Sequence, residues 1–251
     1  MVLKVGVVAV QGAVSEHLEA FQRAFRDMGR EGEAVPVRRP ADMEGVQALA
    51  IPGGESTTIS RLLRRTGLFE LIKRRAEEGM PVLGTCAGLV LLAKEGDEEV
   101  RRSGTELMGL MDMAVRRNAF GRQRESFEVE LDIGVEGGEL AGSAAMPAAP
   151  APGGVHGGEA GVRELPGLPR PGDLRSPAEA PAPLRCGEFA RPFPAVFIRA
   201  PAITRVWGDC RALARVGEAI VLAQQGNMLA AAFHPELTED TRIHRLLLER
   251  L

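Results

Sequence analysis

The near-continuous apolar run LKVGVVAV, residues 3–10, most constrains what this chain can fold into. A strand that is apolar at almost every position is buried on both faces, as in a parallel sheet covered by helices. Similar runs follow at 48–52 and 81–85, and a shorter strand fits 33–37. Because helical patterns separate these runs, the sequence predicts right-handed βαβ units and an α/β fold.

Amphipathic patterns predict the helices between these strands. The first helix places four apolar side chains on one face: Leu18, Phe21, Phe25 and Met28. Ser15 is the expected N-cap of this helix and Gly29 its stop. Further helices are predicted over 57–65, 68–78 and 87–94.

The second half of the chain has a different pattern of predicted strands and helices. After a charged connector at 95–106, FEVELDI (127–133) alternates apolar and acidic residues, which predicts a half-buried strand. Further predictions are strands over 194–201, 210–216, 219–225 and 228–236, a hairpin turn at 225–227, and a closing helix over 239–251.

Residues 134–192 differ in composition from the rest of the chain. Glycine and proline make up 22 of these 59 residues, more than the roughly 25–30% that marks low-complexity sequence. We expect one domain over 1–251 in which 134–192 is a flexible surface insertion between two strands, directed away from the active face.

Composition excludes several classes of protein. A net charge of -3 over 251 residues gives no general affinity for nucleic acid or anionic membranes. No run of about 18 apolar residues could span a bilayer, and the start lacks the features of a signal peptide. The cysteines Cys86, Cys186 and Cys210 form no CxxC pair, which favours a reducing, cytoplasmic setting. Because the four histidines are scattered, we expect no metal site.

Cys86 lies in Gly84-Thr85-Cys86-Ala87-Gly88, where a strand is predicted to turn into a helix. Such an elbow forces its central residue into a strained backbone conformation that small neighbours relieve. The thiol would project towards the start of a helix, whose positive end favours the thiolate and whose free amides can hold an oxyanion. The alternative is a buried cysteine that acts as a small hydrophobic residue.

A nucleophilic thiol needs a base, and His234 is the best candidate. It ends an apolar strand, so it should emerge at the same sheet edge as Cys86. Glu236 could orient its imidazole, with Pro235 fixing the backbone between them. The remaining histidines are expected at the surface: His17, His156 and His244.

Gly53 and Gly54 follow a predicted strand and can supply a second oxyanion donor. Only glycine lets the backbone approach a reacting carbonyl closely. The alternative is an ordinary turn in which Ser56 or Thr57 caps the next helix.

The chain resembles the glutaminase-subunit family of pyridoxal 5'-phosphate synthase, the PdxT family of class I glutamine amidotransferases. The matching stretches occur in the family's order: VAVQGAVSEH (8–17), PGGESTTISRL (52–62), PVLGTCAGLVLLAKE (81–95), RRNAFGRQRESFE (116–128), VFIRAP (196–201) and FHPELTEDTR (233–242). The resemblance implies a three-layer, Rossmann-like α/β fold with a mostly parallel central sheet.

The resemblance also implies hydrolysis of L-glutamine to L-glutamate and ammonia through a thioester on Cys86. His234 would be the base and Glu236 its orienter, and amides of Ala87 and of the Gly53-Gly54 turn would hold the oxyanion. The family positions that hold the glutamine correspond to Gly54, Glu55, Ser56, Arg117, Ile198 and Arg199. Arginines suit an α-carboxylate because a guanidinium offers paired planar donors, although without the resemblance Arg117 would be expected in a solvated basic loop. Amide hydrolysis by a thiolate requires no cofactor.

A partner protein is implied as well. The family works with a synthase subunit, a (β/α)8 barrel that consumes the ammonia, so we expect a cytoplasmic hetero-oligomer whose glutaminase is weak until the partner docks. The turn Val10-Gln11-Gly12 is the expected docking or gating element. In the family a short connection replaces the insertion at 134–192.

Three alternatives remain open at this point. The first is a glutaminase that feeds a different synthase, which the RNAFGRQ and FIRAP stretches argue against. The second is a non-catalytic subunit of the same fold, which would need a broken triad. The third is a redox or stress protein built on a similar cysteine elbow, which would not need the His-Pro-Glu ending.

Overall fold

The structure, a computed structural model, describes residues 2–120, 126–134 and 191–251. Within them the strands are β1 (Leu3–Val8), β2 (Gly32–Val37), β3 (Ala48–Ile51), β4 (Val82–Thr85), β5 (Ala93–Gly96), β6 (Met111–Arg116), β7 (Ser126–Leu131), β8 (Phe193–Ile198), β9 (Ala202–Val206), β10 (Arg211–Val216), β11 (Ala219–Gln225) and β12 (Met228–Ala231). The helices are α1 (Val14–Asp27), α2 (Ser56–Thr66), α3 (Leu68–Glu77), α4 (Ala87–Leu92), α5 (Glu98–Ser103) and α6 (Arg242–Leu248), with 3-10 turns at Pro40–Met43 and Pro235–Leu237.

The main sheet has a parallel side and an antiparallel side. β2, β1, β3, β4 and β12 lie next to one another in that order, and each pairing is parallel. From β12 the sheet continues antiparallel through β11 and β9 to β6, and the outer pair of β6 and β5 is parallel again. β10 pairs with β11, and β7 and β8 form a separate antiparallel ribbon. The expected α/β fold with a mostly parallel central sheet is confirmed.

The parallel strands bring four chain segments to one edge of the sheet. β3 and β4 are buried at every residue, as their apolar runs predict. The segments that follow β1, β3, β4 and β12 carry, in turn, Gln11, Gly53, Cys86 and His234. Because neighbouring parallel strands end at the same edge, these residues meet although more than two hundred positions separate the first from the last.

Helices cover the sheet in two groups. α1 packs on α6, and α2 packs on α3 and α4. α4 also contacts β3, β4 and β12, so its first turn lies directly above the edge where those strands end. This arrangement gives the three layers that the resemblance implies.

The start of α1 differs from the prediction. The N-cap is Ala13, and Ser15 lies inside the helix with its hydroxyl on the Glu16 carboxylate, so the predicted Ser15 cap was wrong. Gly29 follows the helix with φ +59°, a conformation that glycine adopts without strain. The stop at Gly29 is confirmed.

Several boundaries in the second half also differ. The helix predicted over 87–94 ends at Leu92, because Ala93 already belongs to β5. The charged connector at 95–106 contains α5, whose N-cap Asp97 accepts a hydrogen bond from the amide of Val100. β6 and β9 were not predicted, although β6 alternates buried and half-buried residues. The last strand ends at Ala231 and not at His234.

The predicted insertion at 134–192 lies outside the described residues, except for residues 134, 191 and 192. Cys186 and His156 fall in the same gap. In the parts of the chain that the structure describes, no helix is both long and apolar enough to cross a membrane.

Candidate active site

The cysteine elbow has the strained geometry that its sequence predicts. Cys86 has φ +48° and ψ -100°, far from the regions that residues with a side chain favour. Its amide donates a hydrogen bond of 2.8 Å to the carbonyl of Ala231, which ties the elbow to β12. Backbone strain of this kind costs about 1–3 kcal/mol and persists only where the surroundings impose it.

Two glycines impose that geometry by allowing α4 to lie against the strands. A Cβ added at Gly88 would lie 2.0 Å from the carbonyl oxygen of Ile51. One added at Gly84 would lie 2.7 Å from the carbonyl group of Gly88. The obstructing atoms are backbone atoms that cannot turn aside. The small neighbours of Cys86 are therefore required for the helix to approach the sheet.

His234 and Glu236 form the pair that the His-Pro-Glu motif predicts. Nδ1 of His234 donates to Oε1 of Glu236 over 2.7 Å, and both side chains are buried. The amide of His234 donates to the carbonyl of Val196, which holds this segment against β8. An imidazole held in this way presents its other nitrogen, Nε2, to the Cys86 side.

The electrostatics of the pair favour an imidazolium beside a carboxylate. Burial lowers the pKa of His234, but its contacts with the Cys86 thiol and the Glu236 carboxylate outweigh burial and raise the pKa to about 10. Burial also opposes the charge on Glu236, yet the positive charge that His17 takes up in acid and the hydrogen bond from His234 bring the pKa of Glu236 down to about 2.

A pocket of about 430 Å³ has Cys86 in its wall. All of the predicted site residues except Glu236, which lies behind His234, line this pocket: Gly53, Gly54, Glu55, Ser56, Cys86, Ala87, Arg117, Ile198, Arg199 and His234. Gln11, Gly12 and Asn118 line it too. The structure therefore brings together residues that the sequence spreads from one end of the chain to the other.

The turn after β3 is held by the loop after β1. The carbonyl of Gly53 accepts a hydrogen bond from the amide of Ala13 over 3.1 Å, and Oε1 of Gln11 accepts from the amide of Glu55 over 2.9 Å. A Cβ on Gly53 would lie 2.4 Å from the His234 ring, so only glycine fits against the imidazole. In the described part of the chain the amides of Gly54 and Ala87 donate to no protein acceptor.

Glu55 is exposed, but its carboxylate makes hydrogen bonds that hold the pocket wall together. Its carboxylate is the N-cap of α2 and accepts from the amides of Thr57 and Thr58. The alternative, in which Ser56 or Thr57 caps this helix, is therefore excluded. These hydrogen bonds overcome the effect of partial burial and bring the pKa of Glu55 down to about 2. The same carboxylate accepts from Arg117 over 3.1 Å, which fixes the guanidinium at the wall of the pocket.

Arg199 and Ile198 lie at the rim of the pocket, where both are exposed. Arg199 has φ +43°, an uncommon conformation for a residue with a side chain. The strand β8 thus ends in a sharp turn at the pocket mouth, and this turn presents Ile198 and Arg199 to whatever enters.

Two histidines that we expected at the surface are buried. His17 and His244 are both 0% exposed, so that expectation was wrong. His17 Nδ1 lies 3.1 Å from His244 Nε2, and His17 Nε2 lies 3.0 Å from the hydroxyl of Thr85. A signal for this burial was present in the sequence, because His17 precedes Phe21 by one helical turn on the same face.

The chain is similar to known proteins in its family model, its sequence and its fold. The sequence model of the SNO glutamine amidotransferase family matches residues 7–143 and 180–251. The pyridoxal 5'-phosphate synthase subunit PdxT of Methanosarcina acetivorans is 42% identical over 249 residues, covering 99% of this chain and 98% of that protein. The subunit of the same name from Pelotomaculum thermopropionicum is 44% identical over 248 residues, covering 99% and 95%.

Solved structures agree with these matches. A crystal structure of a glutamine amidotransferase has a TM-score of 0.69 and 36% identity, and the match covers 98% of this chain and 97% of that one. The structure of PurLQS from Thermotoga maritima has a TM-score of 0.54 at 14% identity, covering 99% of each chain. The second likeness shows a shared fold only.

The buried Glu236 carboxylate predicts a loss of stability in acid. The pKa of Glu236 is about 2 in the folded protein, against an ordinary value of 4.5 that we take for the unfolded chain. Its stabilising effect is therefore complete above pH 4.5 and is lost as the pH falls towards 2. From pH 6 to pH 3 we expect the difference in free energy of unfolding between wild type and Glu236→Gln to shrink by about 2 kcal/mol. Urea denaturation at each pH measures it.

The control for this measurement is Glu33→Gln, which removes one negative charge at an exposed position on β2. Its difference from wild type should stay nearly constant over the same range. A constant difference for Glu236→Gln would contradict the low pKa of the buried carboxylate.

Proposed function

The chain belongs to the SNO glutamine amidotransferase family, and from that premise we propose that it is the glutaminase subunit of a pyridoxal 5'-phosphate synthase. It hydrolyses L-glutamine to L-glutamate and ammonia, and it supplies the ammonia to a synthase partner. The observation that carries the proposal is that Cys86, His234, Gly54 and Ala87 line one pocket, and that within the described residues the amides of Gly54 and Ala87 have no protein acceptor.

In the first half of the reaction, the Cys86 thiolate attacks the side-chain amide carbon of glutamine. The carbonyl oxygen becomes an oxyanion, and the amides of Ala87 and of the Gly53-Gly54 turn stabilise it. The His234 imidazolium, whose raised pKa supplies a proton at neutral pH, protonates the departing nitrogen. The C–N bond breaks, ammonia leaves and a thioester remains on Cys86.

In the second half, water attacks the thioester. His234, now neutral, takes a proton from the water as the C–O bond forms, and the same amides hold the second oxyanion. The C–S bond breaks, glutamate leaves and Cys86 regains its thiolate beside the imidazolium. Glu236 stabilises the positive charge on His234 in both halves.

The far end of the pocket binds the amino-acid part of glutamine in this proposal. Arg117, held by Glu55, and Arg199 at the rim supply positive charge for the α-carboxylate. Gly54, Ser56 and Ile198 complete the wall around the substrate. The chemistry uses no cofactor.

Assembly with a synthase subunit is part of the same proposal. The PdxT relatives carry the name of synthase subunits. We propose a cytoplasmic hetero-oligomer with a (β/α)8-barrel synthase, without nucleic acid or membrane as a partner. Direct transfer protects the ammonia from protonation in water, which would remove its nucleophilic lone pair.

The domain organisation also remains a proposal: one domain over 1–251 with an insertion at 134–192. The family model leaves residues 144–179 unmatched, which supports an addition to a common domain. The matched segments on both sides carry every residue given a role above.

Substitution of the nucleophile tests the proposed reaction. Cys86→Ala should abolish glutamate release from glutamine, both alone and with the synthase subunit, whereas wild type should be active and stimulated by that subunit. The matched control is Cys210→Ala, which removes a thiol buried outside the pocket and should keep wild-type rates. A folded wild-type protein with no turnover in either condition would contradict the proposal.

The contact between Gln11 and Glu55 predicts a role in the response to the partner. Gln11→Ala removes the acceptor of the Glu55 amide and loosens the turn that carries an oxyanion donor. We expect the partner-stimulated rate to fall about tenfold, as for the loss of one hydrogen bond in the transition state. Glutamate release at saturating partner measures it.

Gln47→Ala is the control for Gln11→Ala. Gln47 Oε1 also accepts a hydrogen bond from one backbone amide, that of Lys4, but Gln47 does not line the pocket. An equal response to the partner in wild type and Gln11→Ala would exclude the proposed role.

Deletion tests the proposed insertion. Removing residues 140–185 and closing the gap with a short glycine-serine linker should leave partner-stimulated glutaminase activity within about twofold of wild type, since surface insertions contribute little to the domain they interrupt. Loss of activity in a folded deletion variant would show that this segment takes part in catalysis or assembly.

A further inference from the structure

A chain of buried polar groups continues behind Glu236, away from the pocket. Glu236 uses Oε1 to accept from His234, while its Oε2 is buried and makes no standard hydrogen bond within the described residues. His17 Nε2 lies 3.4 Å from that oxygen. A buried carboxylate oxygen without a donor is costly, and hydrogen bonds around catalytic groups are often long before substrate binds.

Both histidines behind Glu236 are neutral at neutral pH. Burial lowers the pKa of His17, although Glu236 acts against it. Burial lowers the pKa of His244 further, well below its ordinary value. Each ring therefore carries one N–H, and the position of that hydrogen follows from the partners of its two nitrogens.

In two arrangements of the hydrogens one histidine ring donates to the other, and they differ in the group that is left unpaired. If His17 carried its hydrogen on Nδ1, its bare Nε2 would face the carboxylate oxygen, and His244 would need its hydrogen on Nδ1, an atom with no partner in the described residues. If His244 instead donates from Nε2 to His17 Nδ1, then His17 Nε2 carries a hydrogen, with the Thr85 hydroxyl at 3.0 Å and Oε2 of Glu236 at 3.4 Å as the oxygens beside it. The second arrangement leaves the bare Nδ1 of His244, an acceptor, without a partner among the described residues. An unpaired buried acceptor is less costly than the unpaired N–H donor of the first arrangement.

We propose that His17 is a positioning residue for the catalytic triad, and that its Nε2–H holds the second oxygen of Glu236 while His244 fixes His17 in that tautomer. The inference rests on the proposed glutaminase function. Two fixed oxygens define the plane of the carboxylate, so Oε1 stays aligned with His234 Nδ1. The imidazole of His234 then keeps its Nε2 directed at Cys86.

The position of His17 suits this role in a second way. Its Nε2 also contacts the hydroxyl of Thr85, the residue before the nucleophile. One imidazole on α1 therefore touches both the strand that carries Cys86 and the carboxylate that orients its base. His17 does not line the pocket, so its loss should change the chemical steps and leave glutamine binding intact.

Tautomer measurement tests the inference without any assay of activity. Long-range proton–nitrogen correlation spectra of the wild-type protein at pH 7, assigned with His→Gln variants, report which ring nitrogen carries hydrogen. We expect Nε2–H with bare Nδ1 for both His17 and His244. A His17 that is protonated on Nδ1, or on both nitrogens, would overturn the proposal.

Kinetics of two His17 variants provide the second test. His17→Gln keeps an N–H near the position of Nε2, whereas His17→Leu has no donor. For His17→Leu we expect kcat to fall about tenfold to a hundredfold, the range produced when an outer partner behind a metal-bound histidine is lost, with KM within about twofold. His17→Gln should recover most of that loss.

The control is Phe25→Leu, which removes packing from the same face of α1 without removing a hydrogen bond. It should leave kcat within about twofold of wild type, since it changes no group in the transition state.

Equal losses in His17→Leu and His17→Gln, or a change in KM alone, would overturn the proposal. If His17→Leu does not fold, the tautomers and the His17→Gln variant still decide it. An inactive wild type would refute the proposed function and leave the tautomer result standing.

Discussion

The close approach of α4 to β3 and β4 is the constraint on which the rest of the site depends. Gly88 lies against the carbonyl of Ile51, and Gly84 lies under Gly88, with no space for a Cβ at either position. At this distance the chain can pass from β4 into α4 only through a residue with an unusual backbone, and that residue is Cys86. The strain is stabilised by packing of the whole helix against the strands.

The second constraint is a buried carboxylate between the imidazoles of His234 and His17. Apolar residues of similar size would stabilise the fold at least as well, because taking charges out of water costs about as much as their attraction returns. A buried Glu236 is therefore poorly explained by stability. It is well explained by its hydrogen bond to His234, whose pKa it helps to raise. The residues around Glu236 keep the carboxylate charged and correctly directed.

Sequence could predict the parts of this site that depend on chain direction. Apolar runs identified β1, β3 and β4, and parallel order then required Cys86 and Gly53 to meet at one edge. His17 and His244 were misplaced for a different reason. A histidine is polar by type, and its burial depends on partners from distant segments, here Thr85 and Glu236. The cap of α2 is Glu55 and not one of the alternatives Ser56 and Thr57, although serine and threonine are the commoner caps, and the same carboxylate also meets Arg117.

The loop after β1 connects these constraints to the outside of the molecule. In a trans peptide the C=O and the following N–H point in opposite directions. The hydrogen bond from Ala13 to the carbonyl of Gly53 therefore fixes where the Gly54 amide, one of the proposed oxyanion donors, is directed. A Cβ on Gly12 would lie 1.9 Å from the same carbonyl oxygen, so the loop lies directly on this peptide. A contact that shifts residues 11–13 while this hydrogen bond is kept would turn that amide as well. A protein surface that binds this loop would thus control the oxyanion site through a single peptide plane, without touching Cys86 or His234.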